Sequence, residues 1–140
     1  MSADFFLDDR LRADSVAVVS LPLCDVRLMN DARFAWLMLI PRRSDMEEIS
    51  DLGAGDQTML WRECMLAGDA LRATGPCDKL NLGALGNMVR QLHVHVLARC
   101  VGDAAWPGPV WGHGRAQAYE PAVLTERLTA LRHAMRAPAA

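Results

Sequence analysis

The sequence lacks the features that mark membrane, secreted and nucleic-acid-binding proteins. In its 140 residues, no apolar run approaches the roughly 20 residues that a membrane-spanning helix needs. The first fifteen residues carry acids where a secretory signal would have basic residues and then an apolar core. A net charge of -2 and a pI near 6.0 argue against binding to a nucleic acid polymer. We therefore expect a soluble, cytoplasmic protein with neither a membrane nor a polynucleotide as partner.

Cysteine is also scarce, and it forms no C-x-x-C pair: the four are Cys24, Cys64, Cys77 and Cys100. In a reducing cytosol, such isolated cysteines act as small apolar side chains rather than as disulfides or zinc ligands. The chain is long enough for one well-cored domain and too short for two. We expect a single domain over residues 1–140, with its core at about 15–100 and a C-terminal loop and helix at 101–140.

Three segments near the N-terminus have the composition of β-strands. Residues 15–23 are rich in β-branched side chains, and residues 24–30 alternate polar with apolar ones. Residues 34–41 are almost entirely apolar, which predicts a strand buried on both faces. We expect these three to form an antiparallel meander. A short helix or turn before them would pack Phe5, Phe6 and Leu11 inward.

Two main helices and one short helix are predicted further along the chain. Residues 56–73 carry an apolar stripe at helical spacing, namely Leu60, Cys64, Ala67 and Leu71. Residues 119–137 form the last helix, with Pro121 in its first turn. Ser44 followed by Glu47 is a capping-box pattern, which predicts a short helix at that point.

The most informative segment is residues 90–99, which reads RQLHVHVLAR. In a strand, side chains alternate between faces, so Gln91, His93 and His95 share one face. Each residue rises about 3.3 Å, which places the two imidazoles roughly 7 Å apart along the backbone. Both histidines can therefore engage one small ligand from the same side.

Three interpretations of this histidine pair compete. The pair is an ordinary set of surface histidines, or it supplies two metal ligands and takes a third from His113, Cys100 or Asp103. The third interpretation is a phosphate site in which one histidine is a nucleophile. Gly83 and Gly86 lie just before the pair, where backbone N–H groups can approach an anion, and this placement favours the phosphate site.

The motif resembles that of the histidine triad (HIT) superfamily, His-φ-His-φ-His-φ-φ, where φ is apolar. Residues 91–97 match two of the three histidines and all four apolar positions. Gly86 and Asn87 resemble the family's Gly-Gln before the triad, and Asn81 resembles an asparagine of the preceding strand. Residues 36–43, WLMLIPRR, resemble a buried family strand that ends in Pro-Lys/Arg.

This resemblance implies an α+β fold with a five-stranded antiparallel sheet, two main helices and a two-fold homodimer. It also implies hydrolysis or transfer of nucleotidyl groups on a nucleotide or nucleotide conjugate. The nucleophile would be His93, with a nucleotidyl-histidine intermediate that water resolves. A phosphate would be contacted by His95, Asn81 and Asn87 and by the loop amides at Gly86. We expect no cofactor and no metal.

The sequence departs from the family pattern at two positions. Gln91 replaces the first histidine, and glutamine can form hydrogen bonds but cannot titrate. We keep Gln91 among the catalytic residues as a hydrogen-bonding group. Met88 stands where several members carry a phosphate-contacting hydroxyl. The family's ribose-binding acid has three candidates, Asp25, Asn30 and Asp31, of which the last two are favoured as turn residues.

Further residues have open roles. Arg99 continues the histidine row by parity, so it either reaches a phosphate or is an ordinary strand-end arginine. By analogy with the family, Trp106 or Trp111 forms a wall of the base pocket or a dimer interface, or else plugs the core. The pattern places Trp36 and Trp61 in the core. Two histidines complete this set, the loop residue His113 and the solvated His133.

Three functional hypotheses follow from these observations. The first is a HIT-type hydrolase or nucleotidyltransferase, either a nucleoside phosphoramidase or a dinucleoside polyphosphate hydrolase. The second is a HIT-fold protein that binds nucleotides with weak or no turnover, as Gln91 and Met88 would allow. The third is a metal-binding protein that uses His93 and His95.

Overall fold

Five antiparallel strands form a single sheet in the computed structural model, which describes residues 5–136. The strands are β1 (Ser15–Ser20), β2 (Cys24–Met29), β3 (Ala35–Pro41), β4 (Lys79–Gly83) and β5 (Val94–Arg99), in the spatial order β1-β2-β3-β5-β4. This arrangement confirms the predicted α+β class, the five-stranded antiparallel sheet and the meander of the first three strands. The two ends of the domain predicted over residues 1–140 lie outside the described residues.

The helices are α1 (Asp9–Ala13), α2 (Ala54–Thr74) and α3 (Pro121–Arg136), with a short 3-10 turn at Ile49–Asp51. Helices α2 and α3 pack together on one face of the sheet, so the two predicted main helices are confirmed. The predicted last helix ran to residue 137, which lies outside the described residues. Over residues 5–136, no helix combines the length and the apolarity that crossing a membrane requires.

Strand β3 is buried on both faces, as its continuous apolar run predicts. Leu37 and Leu39 point into the main core beneath the helices. Met38 and Ile40 point to the other face, where they pack against Leu7 and other apolar residues of the N-terminal segment, residues 5–14. Both faces of the sheet centre are therefore covered, one by helices and one by the N-terminal segment and loops.

The short helix predicted at Ser44 is wrong. Asp45 has a φ of 61°, outside the right-handed helical region, so the chain turns there instead. The Asp51 carboxylate then accepts the backbone N–H groups of Glu47 and Glu48, at 3.1 and 2.9 Å. The capping interaction therefore lies a few residues later than predicted, and it opens only the 3-10 turn.

Two aromatic residues lie on the surface instead of in the core. Trp61 is 63% exposed, because the buried stripe of α2 runs along another side of the helix. Phe6 is 79% exposed, because its neighbour Leu7 fills the apolar space beneath the N-terminal segment. The core placement of Trp36 is confirmed, since only 8% of it is exposed. The predicted strand at 90–99 begins only at Val94.

A buried carboxylate joins α2 to the turn between β1 and β2. Glu63 is 3% exposed, and its two oxygens accept the backbone N–H groups of Leu23 and Cys24, at 2.9 and 2.7 Å. Burial, reinforced by this carboxylate, raises the pKa of the Cys64 thiol to about 12 and raises that of Cys24 as well. Both thiols are therefore neutral, and the four cysteines form no disulfide within residues 5–136.

We predict that Glu63→Ala lowers the free energy of unfolding by about 3 kcal/mol, because two buried N–H groups lose their acceptor. Urea denaturation followed by circular dichroism measures this loss. Arg62→Ala, an exposed substitution on the same helix, is the control and should change stability by less than about 0.5 kcal/mol. Equal stability of Glu63→Ala and the unmodified chain would contradict this role.

Candidate functional site

A cavity of about 520 Å³ opens on the sheet face opposite α2 and α3. Its walls come from the N-terminal segment, which includes α1, from strands β2, β3 and β5, and from the loops after β4 and β5. The lining side chains are mostly apolar and include methionine and tryptophan, with both histidines of the motif among them: Arg10, Leu11, Asp14, Met29, Trp36, Met38, Leu85, Asn87, Met88, Val89, His93, His95 and Trp111. This cavity is the candidate functional site.

The proton of neutral His93 is fixed by a backbone carbonyl. Its Nδ1 lies 2.6 Å from the carbonyl oxygen of Gln91. A carbonyl can only accept a hydrogen bond, so Nδ1 must carry the proton and donate it. The other ring nitrogen, Nε2, is then left with a free lone pair, which is the form that a nucleophile or general base requires.

The proton of neutral His95 is fixed in the opposite sense. The indole Nε1 of Trp36 lies 2.9 Å from His95 Nδ1, and an indole N–H can only donate. Nδ1 of His95 must therefore accept, which leaves the proton on Nε2. Burial, and next the neighbouring His93, lower the pKa of His95 to about 3. The ring thus remains a neutral donor throughout the physiological pH range.

The two imidazoles together present complementary nitrogens to a ligand. Their centroids are 5.0 Å apart, and the rings meet edge to face. Since the protein occupies both Nδ1 atoms, the Nε2 atoms are the ones available to a ligand, one as a lone pair and one as an N–H donor. A tetrahedral phosphate suits such a pair, because it offers an electrophilic centre and acceptor oxygens close together.

The loop after β4 closes one side of the site. A Cβ at Gly83 would lie 3.0 Å from the Trp111 ring, so a larger residue there would press on the tryptophan. Trp111 in turn meets His95 edge to face, with the ring centroids 5.5 Å apart. Gly86 has a φ of 71°, which glycine adopts without strain. Of the described residues, Trp111 alone has a buried side-chain polar atom without a hydrogen-bond partner, its Nε1.

The structure brings only some of the predicted residues together. Gly86, Asn87 and Met88 line the cavity beside the two histidines, and Trp111 forms a wall. Three others do not line it: Asn81, Gln91 and Arg99. The phosphate contacts of Asn81 and Arg99 and the catalytic role of Gln91 stay predictions from the sequence.

Arg99 is a buried structural residue. It is 1% exposed, and its guanidinium donates to both oxygens of Asp103, at 2.7 and 2.9 Å, and to the Gly108 carbonyl at 2.8 Å. It also donates to the side-chain oxygen of Asn81 at 2.9 Å, so this oxygen already has a partner within the protein. Hydrogen bonds from Arg99 lower the pKa of Asp103 to about 2. Trp106 packs against the Arg99 guanidinium, 5.7 Å from its carbon, and so lies with this ion pair rather than in the cavity.

Gln91 faces the N-terminal segment. Its side-chain oxygen accepts the Asp8 N–H at 2.8 Å, and its side-chain nitrogen donates to the Phe6 carbonyl at 2.8 Å. The expected hydrogen-bonding role of this glutamine thus exists, but its partners are backbone groups of the protein. Catalytic action of its side chain stays a prediction from the sequence.

The sequence offers three candidates for a ribose-binding acid. Asp25 forms an ion pair with Arg42 at 3.0 Å. Asp31 is 1% exposed and is held by Arg33, whose hydrogen bonds keep the pKa of this carboxyl below its usual range despite burial. Asn30 accepts a backbone N–H and, with Asp31, belongs to the turn before β3, as favoured from the sequence. Both line an adjoining cavity of about 380 Å³, which shares Asp14, Met29, Trp36 and Gly112 with the candidate site.

Sequence reasoning missed the contribution of the N-terminal segment to the site. Arg10 and Asp14 of this segment line the cavity, although the predicted core began only at residue 15. Leu11 was expected to pack inward and does so, which was the one available signal. The exposed polar residues around it gave no indication that this short helix borders a site.

A metal site finds no support in residues 5–136, where no group of three or more histidine, cysteine or acidic side chains is placed to hold an ion. Of the third ligands considered, Asp103 is paired with Arg99, and the Cys100 thiol donates to a backbone carbonyl. His113 is exposed and lines the neighbouring cavity instead. His133 is exposed on α3, as predicted.

Comparison with known proteins gives one consistent result. The family model of the HIT domain matches residues 10–101. A histidine triad protein from Sinorhizobium meliloti is 44% identical, with a TM-score of 0.92, over 95% of this chain and 98% of its own. One from Marinobacter aquaeolei is 38% identical, with a TM-score of 0.92, over 96% and 98% respectively. A search of curated proteins finds no match.

We predict that Trp36→Phe removes the hydrogen bond that fixes the proton of His95 on Nε2. Without the indole donor, the Nε2–H tautomer loses about 1 kcal/mol of its stabilisation, which shifts the tautomer ratio about fivefold toward Nδ1–H. The ¹⁵N shifts of the His95 ring at neutral pH measure this ratio. Trp61→Phe on the exposed side of α2 is the matched control. An unchanged His95 ¹⁵N pattern in Trp36→Phe would refute the assigned hydrogen bond.

Proposed function

We propose that this chain, which belongs to the histidine triad (HIT) family, cleaves nucleoside 5'-phosphate derivatives with His93 as the nucleophile. Nucleotide-binding hydrolase or transferase chemistry is the function of the family as a whole. The reaction at His93, its intermediate and its substrates are our proposal for this chain. The observation that carries it is the pair of hydrogen bonds, from His93 to a carbonyl and from an indole N–H to His95, which favour opposite tautomers of the two rings.

The first step forms one bond and breaks another at the α-phosphorus. Nε2 of His93 attacks phosphorus, a nitrogen–phosphorus bond forms, and the bond to the leaving group breaks. The leaving group, an amine or a phosphate, departs with its electron pair and takes up a proton from solvent water, which the proton released in the second step replaces. The modified ring keeps its Nδ1 proton and becomes cationic, and the Gln91 carbonyl at 2.6 Å stabilises this charge.

The second step restores the enzyme. Water attacks the phosphorus, the bond to His93 breaks, and nucleoside monophosphate and a proton leave. In both steps, negative charge on the phosphoryl oxygens faces the N–H of His95 and the backbone N–H groups around Gly86 and Asn87. Because His95 is neutral throughout the physiological pH range, it contributes as a fixed hydrogen-bond donor rather than as an acid.

The lining of the cavity supports a nucleoside as the bound group. Methionine and tryptophan side chains make up much of the wall, and a planar base packs well against such surfaces. Arg10 also lines this cavity, where the exposed carboxylate of Asp14 at 3.9 Å offsets its charge. We favour a nucleoside phosphoramidate or a dinucleoside polyphosphate as substrate.

A second candidate is a nucleotide-binding protein with weak turnover. Met88 favours it, because this side chain lines the cavity, is 75% exposed and brings no hydroxyl for a phosphate.

We also propose that the protein is a cytoplasmic homodimer without polynucleotide or membrane partners. The exposed Trp61 on α2 supports an interface with a second copy.

We predict that His93→Ala lowers kcat/KM for a fluorogenic nucleoside phosphoramidate at least about a thousandfold, because it removes the nucleophile. Affinity for the nucleoside monophosphate should change by no more than about threefold. His133→Gln, an exposed substitution on α3, is the control and should retain full activity.

Turnover by His93→Ala at the unmodified rate would contradict the proposal. Binding of the monophosphate by the unmodified chain without any turnover would establish the second candidate instead.

A further inference from the structure

Gln91 makes a two-point contact with the backbone on either side of Leu7. The Asp8 N–H donates to its side-chain oxygen and its side-chain nitrogen donates to the Phe6 carbonyl, both at 2.8 Å. Leu7, between these two groups, is 9% exposed and packs with Met38 and other apolar residues of the sheet. Gln91 therefore fastens the N-terminal segment at the point where its apolar side chain enters the structure.

Among side chains of this length, only an amide satisfies both backbone groups at neutral pH. A carboxylate accepts the Asp8 N–H but places a second acceptor against the Phe6 carbonyl. An imidazole has its nitrogens on different edges of the ring, so it cannot accept and donate side by side. A histidine at position 91, as in the family motif, would leave one backbone group without its partner.

The fastened segment is a wall of the candidate site. Arg10, Leu11 and Asp14 of the N-terminal segment line the same cavity as the two histidines. The backbone carbonyl of Gln91 also holds the Nδ1 proton of His93. One residue thus anchors both the wall and the ring that faces it.

We propose that Gln91 is a positioning residue whose side-chain amide docks the N-terminal segment as the substrate-binding wall of the His93 cavity. This inference rests on the proposed function, because it assigns that wall to nucleotide binding. Gln91 acts on substrate affinity through the segment, while its backbone carbonyl serves His93 independently of the side chain. Replacing the side chain should therefore weaken binding and spare the chemical step.

The first variant is Gln91→Glu, which has the same shape and cannot donate when ionised. At pH 8, we expect exchange of the Asp8 amide hydrogen to become at least about tenfold faster. We expect KM and the dissociation constant for nucleoside monophosphate to rise about tenfold, with kcat within about threefold of the unmodified value. Gln57→Glu, on α2 across the sheet, carries the same charge change and should alter none of these.

The pH dependence of this variant gives a readout that a merely structural role would not produce. A protonated carboxyl group has one acceptor and one O–H donor, so it can reproduce both contacts of the amide. As the pH falls from 8 toward about 5, contact with the Phe6 carbonyl favours the protonated form. At each pH, the Asp8 exchange rate and the monophosphate dissociation constant of Gln91→Glu are compared with those of the unmodified chain. Both differences should become smaller as the pH falls.

A second variant keeps the test independent of changes at position 91. Leu7→Ala weakens docking of the segment and leaves Gln91 in place, so it should reproduce the loss of affinity without the pH dependence. Thermal unfolding confirms that each variant is folded before its affinity is compared.

The inference is overturned if Gln91→Glu keeps the slow exchange of Asp8 while kcat falls, since the side chain would then act on the chemistry. It is equally overturned if Asp8 exchange accelerates while KM and monophosphate affinity stay unchanged. Exchange and monophosphate binding require no turnover. If the unmodified chain binds without cleaving, and Gln91→Glu loses affinity as expected, the positioning role holds and the hydrolase proposal fails.

Discussion

The site depends on where two imidazole rings hold their protons. A histidine can attack phosphorus only from an unprotonated nitrogen, and it can donate to a phosphoryl oxygen only from a protonated one. The protein fixes both choices with groups that have a single hydrogen-bonding sense: a carbonyl for His93 and an indole N–H for His95. Neither arrangement requires a charged group beside the ring. The pair can therefore act while both rings are neutral.

The sheet provides this constraint through its topology. Strand β5 pairs antiparallel with β3, with Met38 opposite His95 and Trp36 opposite Leu97. This register places the indole of Trp36 diagonally beside the His95 ring on the same face. The face would expose apolar side chains if it were bare, so the N-terminal segment and the loop carrying Trp111 cover it. The covering elements leave the cavity between them, and it is consequently bounded by parts of the chain that are far apart in sequence.

Much of this architecture follows from local patterns in the sequence. Strict alternation placed His93 and His95 on one face, and the unbroken apolar run predicted that β3 is buried on both faces. The same parity rule suggested that Arg99 joins the histidine row. It could not reveal that Asp103 takes up its guanidinium.

Contacts between distant segments could not be predicted. The indole of Trp36 and the ring of His95 are 59 residues apart, and Gln91 and Asp8 are 83 apart, so no periodicity links them. For the same reason, the sequence predicted that Gln91 forms hydrogen bonds but could not identify its partners, which the structure shows to be the backbone of Phe6 and Asp8. Local rules also fail where one residue takes an unusual conformation, as Asp45 does in place of the expected helix.

The most direct test of this account is to identify the ring nitrogen that becomes bonded to phosphorus. Protein labelled with ¹⁵N-histidine is mixed with a nucleoside phosphoramidate, quenched during turnover and examined by ³¹P and ¹⁵N NMR. The account predicts a phosphorus–nitrogen bond at Nε2 of His93, because Nδ1 keeps its proton on the Gln91 carbonyl. A bond at Nδ1, or at a different residue, would contradict it.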